Sequence, residues 1–344
     1  CILQEARQVR HSVGLIDVST LGKLQISGPD AARFLEHIYT GRFTDQPVGR
    51  LRYAVGCDEL GVIIEDGVVA RTGEENFYVT ATSSGAAAFY RDLQRWAMIL
   101  HMDVELINVT GHLAAVNVAG PQSRMVLEKL TDLPLADDSF AYLDVHQGRV
   151  AGVDAVLMRV GFVGELGFEI HVPVSCAVHV WQALMEAGAA QGIRPFGVEA
   201  QRLLRLEKGH LIVGQDTDAL THPYEVGLGW AVKTDKPFFV GSRSLEILRK
   251  QPQERTQVGL VLSQADGVEE CHLLLEGSEM IGRITSVAPR TTIGESIALA
   301  FLHPDCAAIG NEVKICGSGR KLISARVVPL PFYDPEGSRQ KVDL

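Results

Sequence analysis

The 344-residue sequence predicts an α+β chain, with two similar layers of helix and strand followed by an all-β domain. The first observation is a repeated motif. Gly28-Pro-Asp-Ala-Ala32 and Gly120-Pro-Gln-Ser-Arg124 each follow a strand-like segment and open a helix. Glycine permits a sharp exit from a strand, and proline is preset for a first helical turn. The second observation lies beyond residue 250, where short apolar runs alternate with Gly, Pro, Asp and Ser, as is typical of a compact β domain.

The periodicity of apolar residues predicts the elements of the first region, residues 1–250. Apolar residues at helical spacing predict a short amphipathic helix at the start and three later helices, besides those that open at the two Gly-Pro motifs. Alternating apolar residues bounded by glycine predict the strands. The helices are expected at 3–12, 84–100, 175–190 and 197–209, and the strands at 14–27, 52–55, 62–70, 77–81, 155–160 and 168–172.

The second region, residues 251–344, is predicted to be a β-barrel domain. A polar linker, Lys250 to Glu254, separates it from the first region. Its short apolar runs are too brief for helices and are punctuated by turn residues. They lie at 258–262, 272–275, 282–288, 312–315 and 322–328.

Composition and charge exclude several classes of protein. The chain has 32 basic and 42 acidic side chains, a net charge of −10, so we expect no nucleic-acid partner. Hydrophobic residues make up 46% of the chain, yet no run has the length and apolar character of a membrane span. Six cysteines without a CxxC pair favour reduced thiols and a cytoplasmic location. Because the first residue is Cys1 rather than Met, we expect that further residues precede it in the natural chain.

Motifs for several common cofactors are missing from the sequence. Gly227-Leu-Gly229 lacks the third glycine of a dinucleotide-binding loop, and neither a Walker A loop nor a Gly-x-Ser-x-Gly elbow occurs. The eleven histidines form no His-Glu-x-x-His pattern. We therefore expect neither NAD, FAD nor a metal on this chain, and we interpret His112, His146 and His210 as structural or surface residues.

Two acids stand out as candidate site residues. Asp66 follows Glu65 in an apolar strand, and strict alternation places it on the face of Ile64 and Val68. If those two residues pack inward, Asp66 carries a desolvation cost that points to function; otherwise it is a solvated acid. Glu169 shares a face with His171, and its alternative interpretation is a solvated residue on an edge strand.

Around these acids the sequence resembles the glycine cleavage T-protein, or aminomethyltransferase, family. It is most similar to the folate-binding C-terminal half of the sarcosine oxidase alpha subunit and to dimethylglycine dehydrogenases. The resemblance covers almost the whole chain and rests on ordered motifs. They are 13–23, Gly28-Pro-Asp-Ala-Ala32, Glu65-Asp66-Gly67, 164–170, 204–209, 213–218, 227–233 and 332–337.

The resemblance implies a three-lobed fold in which two interwoven α/β lobes and the barrel enclose tetrahydrofolate. It places Asp66 at the family's catalytic carboxylate and Glu169 at the acid that holds the pterin ring. A carboxylate suits that ring because it accepts two parallel N–H donors at once. Trp230, Tyr53 and Tyr333 match positions that line the folate pocket.

The sequence departs from the T-protein pattern at two positions, of which the first is the arginine by which that family touches folate. Gln201 stands where T-proteins have an arginine, and Thr82 where they have an asparagine. These departures leave a folate site possible at Gln201 and Thr82 but argue against the aminomethyl-lipoyl substrate. A related iron–sulfur maintenance protein has a Lys-Gly-Cys-x-x-Gly-Gln motif, and here His210 replaces its cysteine in a segment one residue longer.

The resemblance therefore predicts a one-carbon transferase that moves a methylene unit from an aminomethyl or N-methyl-derived iminium donor to tetrahydrofolate. The expected partners are tetrahydrofolate and either a flavin-containing oxidase chain or a lipoyl carrier protein. The alternative is a folate-binding protein without turnover, either a regulatory or iron–sulfur maintenance factor or a scaffold subunit of a flavin-dependent oxidase.

Overall fold

The computed structural model describes residues 1–264 and 266–341. It contains a five-stranded sheet, a six-stranded sheet and a closed six-stranded barrel, each with its own buried core. Helices pack on the two open sheets. The predicted α+β, three-lobed architecture is confirmed.

The first two lobes are built from the following elements in chain order: α1 (Ile2–His11), β1 (Gly14–Asp17), β2 (Gly22–Ser27), α2 (Ala31–Ile38), β3 (Leu51–Cys57), β4 (Ile63–Gly73), β5 (Asn76–Ala81), α3 (Ala86–Leu100), β6 (Glu105–Asn108), β7 (Leu113–Ala119), α4 (Ser123–Leu127), β8 (Val145–Val150), β9 (Val153–Met158), β10 (Gly167–Pro173), α5 (Ala177–Ala187), β11 (Arg194–Pro195), α6 (Val198–Glu207) and α7 (Ser242–Leu248). The five-stranded sheet has the order β3-β4-β5-β2-β6, and the six-stranded sheet β11-β1-β7-β10-β9-β8.

The two sheets are interwoven because the chain crosses between them twice. The single strand predicted at 14–27 is wrong: β1 belongs to the six-stranded sheet, and β2 to the five-stranded sheet. Asp17 Oδ1 accepts the Ser19 N–H at 2.8 Å in the turn that separates the two strands. The chain crosses back between β6 and β7. Apolar alternation predicts strand content at these places but carries no signal for the change of sheet.

The repeated Gly-Pro motif has the same structural cause in both lobes. Gly28 and Gly120 have φ of +120° and +126°, a conformation that side chains rarely adopt. A Cβ atom would lie 2.6 Å from the Asp103 carbonyl oxygen at Gly28 and 2.3 Å from the Ser12 carbonyl oxygen at Gly120. The chain therefore needs glycine at both exits from strand to helix.

The third lobe is a barrel of β12 (Thr256–Leu262), β13 (Leu273–Glu276), β14 (Glu279–Ala288), β15 (Ser296–Leu302), β16 (Glu312–Cys316) and β17 (Leu322–Val328). The strand order around it is β12-β15-β14-β13-β16-β17. The strand β15 is not among the predicted strands. Six of its seven residues are buried, so its continuous apolar run lacks the alternation that marks a half-exposed strand.

The barrel joins the first two lobes through α1 and α6. Ala6 and Val9 of α1, Leu204 of α6 and Leu299 of β15 belong to one buried cluster. Beside it, Arg205 of α6 forms a fully buried ion pair with Asp216. None of the helices in the described ranges has both the length and the apolar character to span a bilayer.

Candidate functional site

Strand β4 presents two acids to two different environments. Glu65 lies on the core face with Ile63 and Val69 and is fully buried. Asp66 lies on the opposite face, which Ile64 and Val68 share, as alternation predicts. The premise that Ile64 packs inward is wrong, because its side chain is 37% exposed. Asp66 therefore stands on the partly open face of the strand.

An aromatic pair adjoins Asp66. The Tyr53 hydroxyl, on β3, donates a hydrogen bond of 2.7 Å to Asp66 Oδ2. The Tyr53 ring stacks on Trp230 with 5.8 Å between ring centroids and 28° between planes. Trp230 is nevertheless 62% exposed, although tryptophan is usually well buried in a folded protein. Tyr53, Asp66 and Trp230 thus form one corner with a free aromatic surface.

The environment of Asp66 changes its acidity. Burial raises the pKa of Asp66 to about 6, while the hydrogen bond from Tyr53 acts in the opposite direction. Burial also holds the pKa of Tyr53 well above its usual value, and the neighbouring Asp66 carboxylate adds to that effect. A carboxyl group with a pKa near neutrality can accept and return a proton at physiological pH. The site can therefore support general acid–base chemistry.

The buried Glu65 ties Asp66 to Thr82. Glu65 Oε1 accepts the backbone N–H of Thr82 at 2.8 Å and that of Asp66 at 3.1 Å. Glu65 Oε2 accepts the Thr82 hydroxyl at 3.0 Å. Burial raises the pKa of Glu65 to about 7, against the bonds from Thr82. Thr82 is thus brought next to the candidate acid, but its hydroxyl donates to Glu65.

Glu169 lies on β10, paired with Asn117 of β7 and Met158 of β9. It is therefore on an inner strand of the six-stranded sheet, so the alternative of a solvated edge position is wrong. Its Oε2 lies 3.4 Å from Nε2 of His171, which is fully buried. His171 Nδ1 in turn lies 2.8 Å from the hydroxyl of Tyr78 on β5.

One apolar layer lies between the two acid-bearing sheets. It contains Tyr78 of β5 and Met158 of β9, and Val68 and Val156 pack against it. Val68 follows Asp66 by two residues, and Met158 pairs with Glu169. The structure thus places both candidate acids beside the same layer, one on each sheet.

Two residues that were predicted to line the folate pocket, Gln201 and Tyr333, contact other parts of the chain than the corner of Tyr53, Asp66 and Trp230. Gln201 is partly buried on the first turns of α6. Tyr333 donates a hydrogen bond of 2.7 Å to Glu165 Oε1, and the Arg10 guanidinium lies 3.9 Å from its ring centroid. Tyr333 also lines a cleft of about 470 Å³ with Arg10, Thr292 and Arg339. The roles predicted for Gln201 and Tyr333 stay predictions.

The His210 side chain is fixed by contacts with Phe162. Its ring stacks on Phe162, and its Nδ1 lies 3.0 Å from the Phe162 carbonyl oxygen. Burial lowers the pKa of His210 to about 4, so the ring is neutral at physiological pH. A carbonyl oxygen can only accept, so Nδ1 carries the hydrogen.

The sequence predictions assign no role to Glu65, Tyr78 or His171, which support the candidate acids in the structure. Alternation separates Glu65 from Asp66 but does not say which face of β4 is the core. The pairing of Glu169 with His171 on one face was visible in the sequence. The contact with Tyr78 was not, because it joins two sheets whose packing local patterns do not encode.

Comparisons with known proteins agree with this architecture. The model of the GCVT N-terminal domain matches residues 1–236, and the model of the glycine cleavage T-protein C-terminal barrel domain matches residues 255–334. The first match covers the two interwoven lobes apart from α7, and the second covers all six strands of the barrel.

Two kinds of curated relative are similar to the chain. The sarcosine oxidase subunit alpha of Corynebacterium sp. (strain P-1) is 36% identical over an alignment of 353 residues that covers 98% of this chain but only 36% of that protein. The aminomethyltransferase of Thermotoga petrophila is 35% identical over 332 residues, which are 96% of this chain and 89% of that protein. The chain thus spans about a third of the first relative and most of the second.

A solved structure matches the fold over nearly its whole length. The glycine cleavage system aminomethyltransferase T from Bartonella henselae is 27% identical, with a TM-score of 0.87 over 97% of this chain and 90% of that chain. The interwoven sheets, the barrel, both family models and these relatives lead to one conclusion: the chain belongs to the glycine cleavage T-protein family.

Proposed function

We propose that this chain transfers a one-carbon unit to tetrahydrofolate, taking a methylene group from an aminomethyl or N-methyl-derived iminium donor. The observation that carries the proposal is the corner of Tyr53, Asp66 and Trp230. There a carboxyl group with a pKa of about 6 stands beside an exposed aromatic surface. Membership of a family with aminomethyltransferase relatives supports the same reaction class.

The residues present fit a folate. The exposed Trp230 ring offers an apolar face for a flat heteroaromatic ring. Among the described residues, the contact of Glu169 with His171 uses Oε2, so Oε1 is available to the N–H donors of a pterin. Thr82, Gln201 and Tyr333 are proposed to complete the pocket. Tetrahydrofolate, when bound, supplies the nucleophilic nitrogen that receives the methylene carbon.

The chain's own residues then perform the proton chemistry. The Asp66 carboxylate takes the proton that the attacking nitrogen loses and returns it to the amine that leaves the donor. Before that transfer, its negative charge stabilises the cationic iminium carbon. Glu169 orients the ring so that the nucleophile is already placed. The Tyr53 hydroxyl keeps Asp66 ionised and fixes its rotamer.

A further part of the proposal concerns which molecule donates the methylene group. Relatives named sarcosine oxidase subunit alpha favour an iminium from a flavin-containing oxidase chain. The relative named aminomethyltransferase, which the chain matches over most of its length, favours a lipoyl carrier. We propose the oxidase-derived iminium, because Gln201 and Thr82 replace the arginine and asparagine expected of T-proteins.

The experiment offers tetrahydrofolate and an isotopically labelled methylene donor, either aminomethyl-dihydrolipoamide or the product of an N-methyl amine oxidase. With the second donor, we expect mass spectrometry to detect labelled methylenetetrahydrofolate. The rate for Asp66→Asn is expected to be at least about 100-fold lower than that of the wild type. Formation with the lipoyl donor alone would reassign the donor. No product above the protein-free rate with either donor would contradict the transferase.

A further inference from the structure

The pterin-binding acid has a buried hydrogen-bonded support that reaches it from the other lobe. His171 is two residues after Glu169 on β10, on the same face, and is 1% exposed. Its Nε2 lies 3.4 Å from Glu169 Oε2, and its Nδ1 lies 2.8 Å from the Tyr78 hydroxyl. Tyr78 belongs to β5 of the five-stranded sheet, so this chain of contacts bridges the two sheets.

The chemistry of the three groups fixes their protons. A carboxylate oxygen can only accept, so the tautomer that fits these contacts carries its hydrogen on Nε2, which faces Glu169. Nδ1 is then the acceptor, and the Tyr78 hydroxyl donates to it. The Tyr78 and His171 rings also pack edge-on, with 5.4 Å between centroids and 88° between planes. This packing restricts rotation of the His171 ring. Every polar hydrogen in the chain of contacts has an acceptor.

The contact with His171 restricts the side-chain conformation of Glu169, which its backbone position in the sheet does not fix. A glutamate side chain has three rotatable bonds, and ordering them on binding costs free energy. A donor on a rigid ring removes part of that freedom before the ligand arrives. The distance of 3.4 Å is long, as such bonds often are without ligand.

We propose that His171 and Tyr78 are positioning residues that hold the Glu169 carboxylate for the pterin and make its orientation depend on the packing of the two lobes. The inference rests on the proposed folate site and names residues of that site to which the resemblance assigned no role. Lys23 is buried on β2, close enough to Glu169 for their charges to interact, and it is unchanged in every variant below.

The test is a double-mutant cycle on tetrahydrofolate affinity, measured by anaerobic calorimetry. Glu169→Gln and His171→Leu are each expected to weaken binding by about tenfold or more, since each disturbs a hydrogen bond to a charged group. If His171 acts through Glu169, the double variant binds no more than about threefold more weakly than Glu169→Gln alone. Losses that multiply in the double variant would overturn the proposal.

Conservative variants separate positioning from packing. Glutamine at position 171 places an amide N–H near the position of Nε2, so His171→Gln is expected to recover affinity to within about threefold of the wild type. Tyr78→Phe keeps the ring and removes only the hydroxyl, so it should weaken binding with little change in the unfolding midpoint. The control is His112→Leu, an exposed histidine immediately before β7, which should leave affinity unchanged.

The outcomes also distinguish this inference from the proposed function. If the wild type binds no tetrahydrofolate, both the proposed function and the positioning role of His171 and Tyr78 are wrong. If it binds and Glu169→Gln weakens binding while Tyr78→Phe and His171→Leu do not, the folate site stands and only the positioning role is lost.

Discussion

At the residue scale, the ionisation of Asp66 decides whether the site can act. Its pKa of about 6 means that the carboxylate is lost as the pH falls through that value. The rate of methylene transfer should therefore fall about tenfold per pH unit below about pH 6 if the ionised form is required.

Tyr53→Phe should move this acid limb of the pH–rate profile to higher pH. The hydroxyl of Tyr53 stabilises the charged form of Asp66, so its removal raises the pKa of Asp66 further. Tyr90→Phe is the matched control, because the Tyr90 hydroxyl donates to the carbonyl oxygen of Leu106 on β6. An unmoved limb in Tyr53→Phe would contradict this reading of the corner.

Glu65 predicts a pH dependence of stability. Burial raises its pKa in the folded chain from 4.5 to about 7, so the folded state binds its proton more tightly than the unfolded state does. The stabilisation that this proton gives the folded state is fully present below pH 4.5 and is lost as the pH rises through about 7. Relative to the wild type, Glu65→Gln should gain stability between about pH 5 and about pH 8 in urea unfolding. A constant difference across that range would refute the assignment.

At the element scale, Gly67 allows β4 to approach β5 beside the candidate acid. A Cβ atom on Gly67 would lie 2.0 Å from the Thr80 carbonyl oxygen, so the strands would have to separate. Gly67→Ala should therefore lower the transfer rate by displacing Asp66 and should also lower the unfolding midpoint. Gly111→Ala is the control, because a Cβ atom there meets nothing within 4 Å. Equal effects of the two substitutions would count against this account.

Individual elements show how far the sequence predicts the fold and site. The hairpin of β9 and β10 and the helix at α6 follow from local periodicity, and both are confirmed. The division of residues 14–27 into β1 and β2 could not be predicted, because a change of sheet depends on tertiary packing rather than on alternation. Asp66 was found through its unusual place in an apolar strand, whereas Tyr78 entered only through a contact between sheets.

At the scale of the whole molecule, a buried ion pair of the first region, Arg205–Asp216, joins the barrel through hydrogen bonds to β14. Asp216 accepts hydrogen bonds from Thr285 at 2.7 Å and Ser286 at 2.6 Å on β14, besides its pair with Arg205 of α6. Both charged side chains are at most 1% exposed. Removing one charge leaves the other buried and without its ionic partner.

Asp216→Ala should therefore lower the free energy of unfolding by about 3–5 kcal/mol in a denaturant titration. The double variant Arg205→Met, Asp216→Leu should recover part of the loss because it leaves no buried charge uncompensated. Glu246→Ala is the control: it removes the exposed pair between Glu246 of α7 and Lys250, and it should change the unfolding midpoint far less than Asp216→Ala does. A loss at Asp216 no larger than this control would show that the joint is not secured in this way.

The interwoven lobes also explain why the proposed site needs the intact chain: Asp66 and Glu169 lie on different sheets, and the exposed Trp230 follows both in sequence. The measurement that tests the account most directly is anaerobic calorimetric titration of tetrahydrofolate into the wild type, Asp66→Asn and Glu169→Gln. We expect binding by the wild type, a loss of about tenfold or more for Glu169→Gln, and near-normal affinity for Asp66→Asn. No heat and no thermal shift with the wild type would contradict the central claim that this chain acts on tetrahydrofolate.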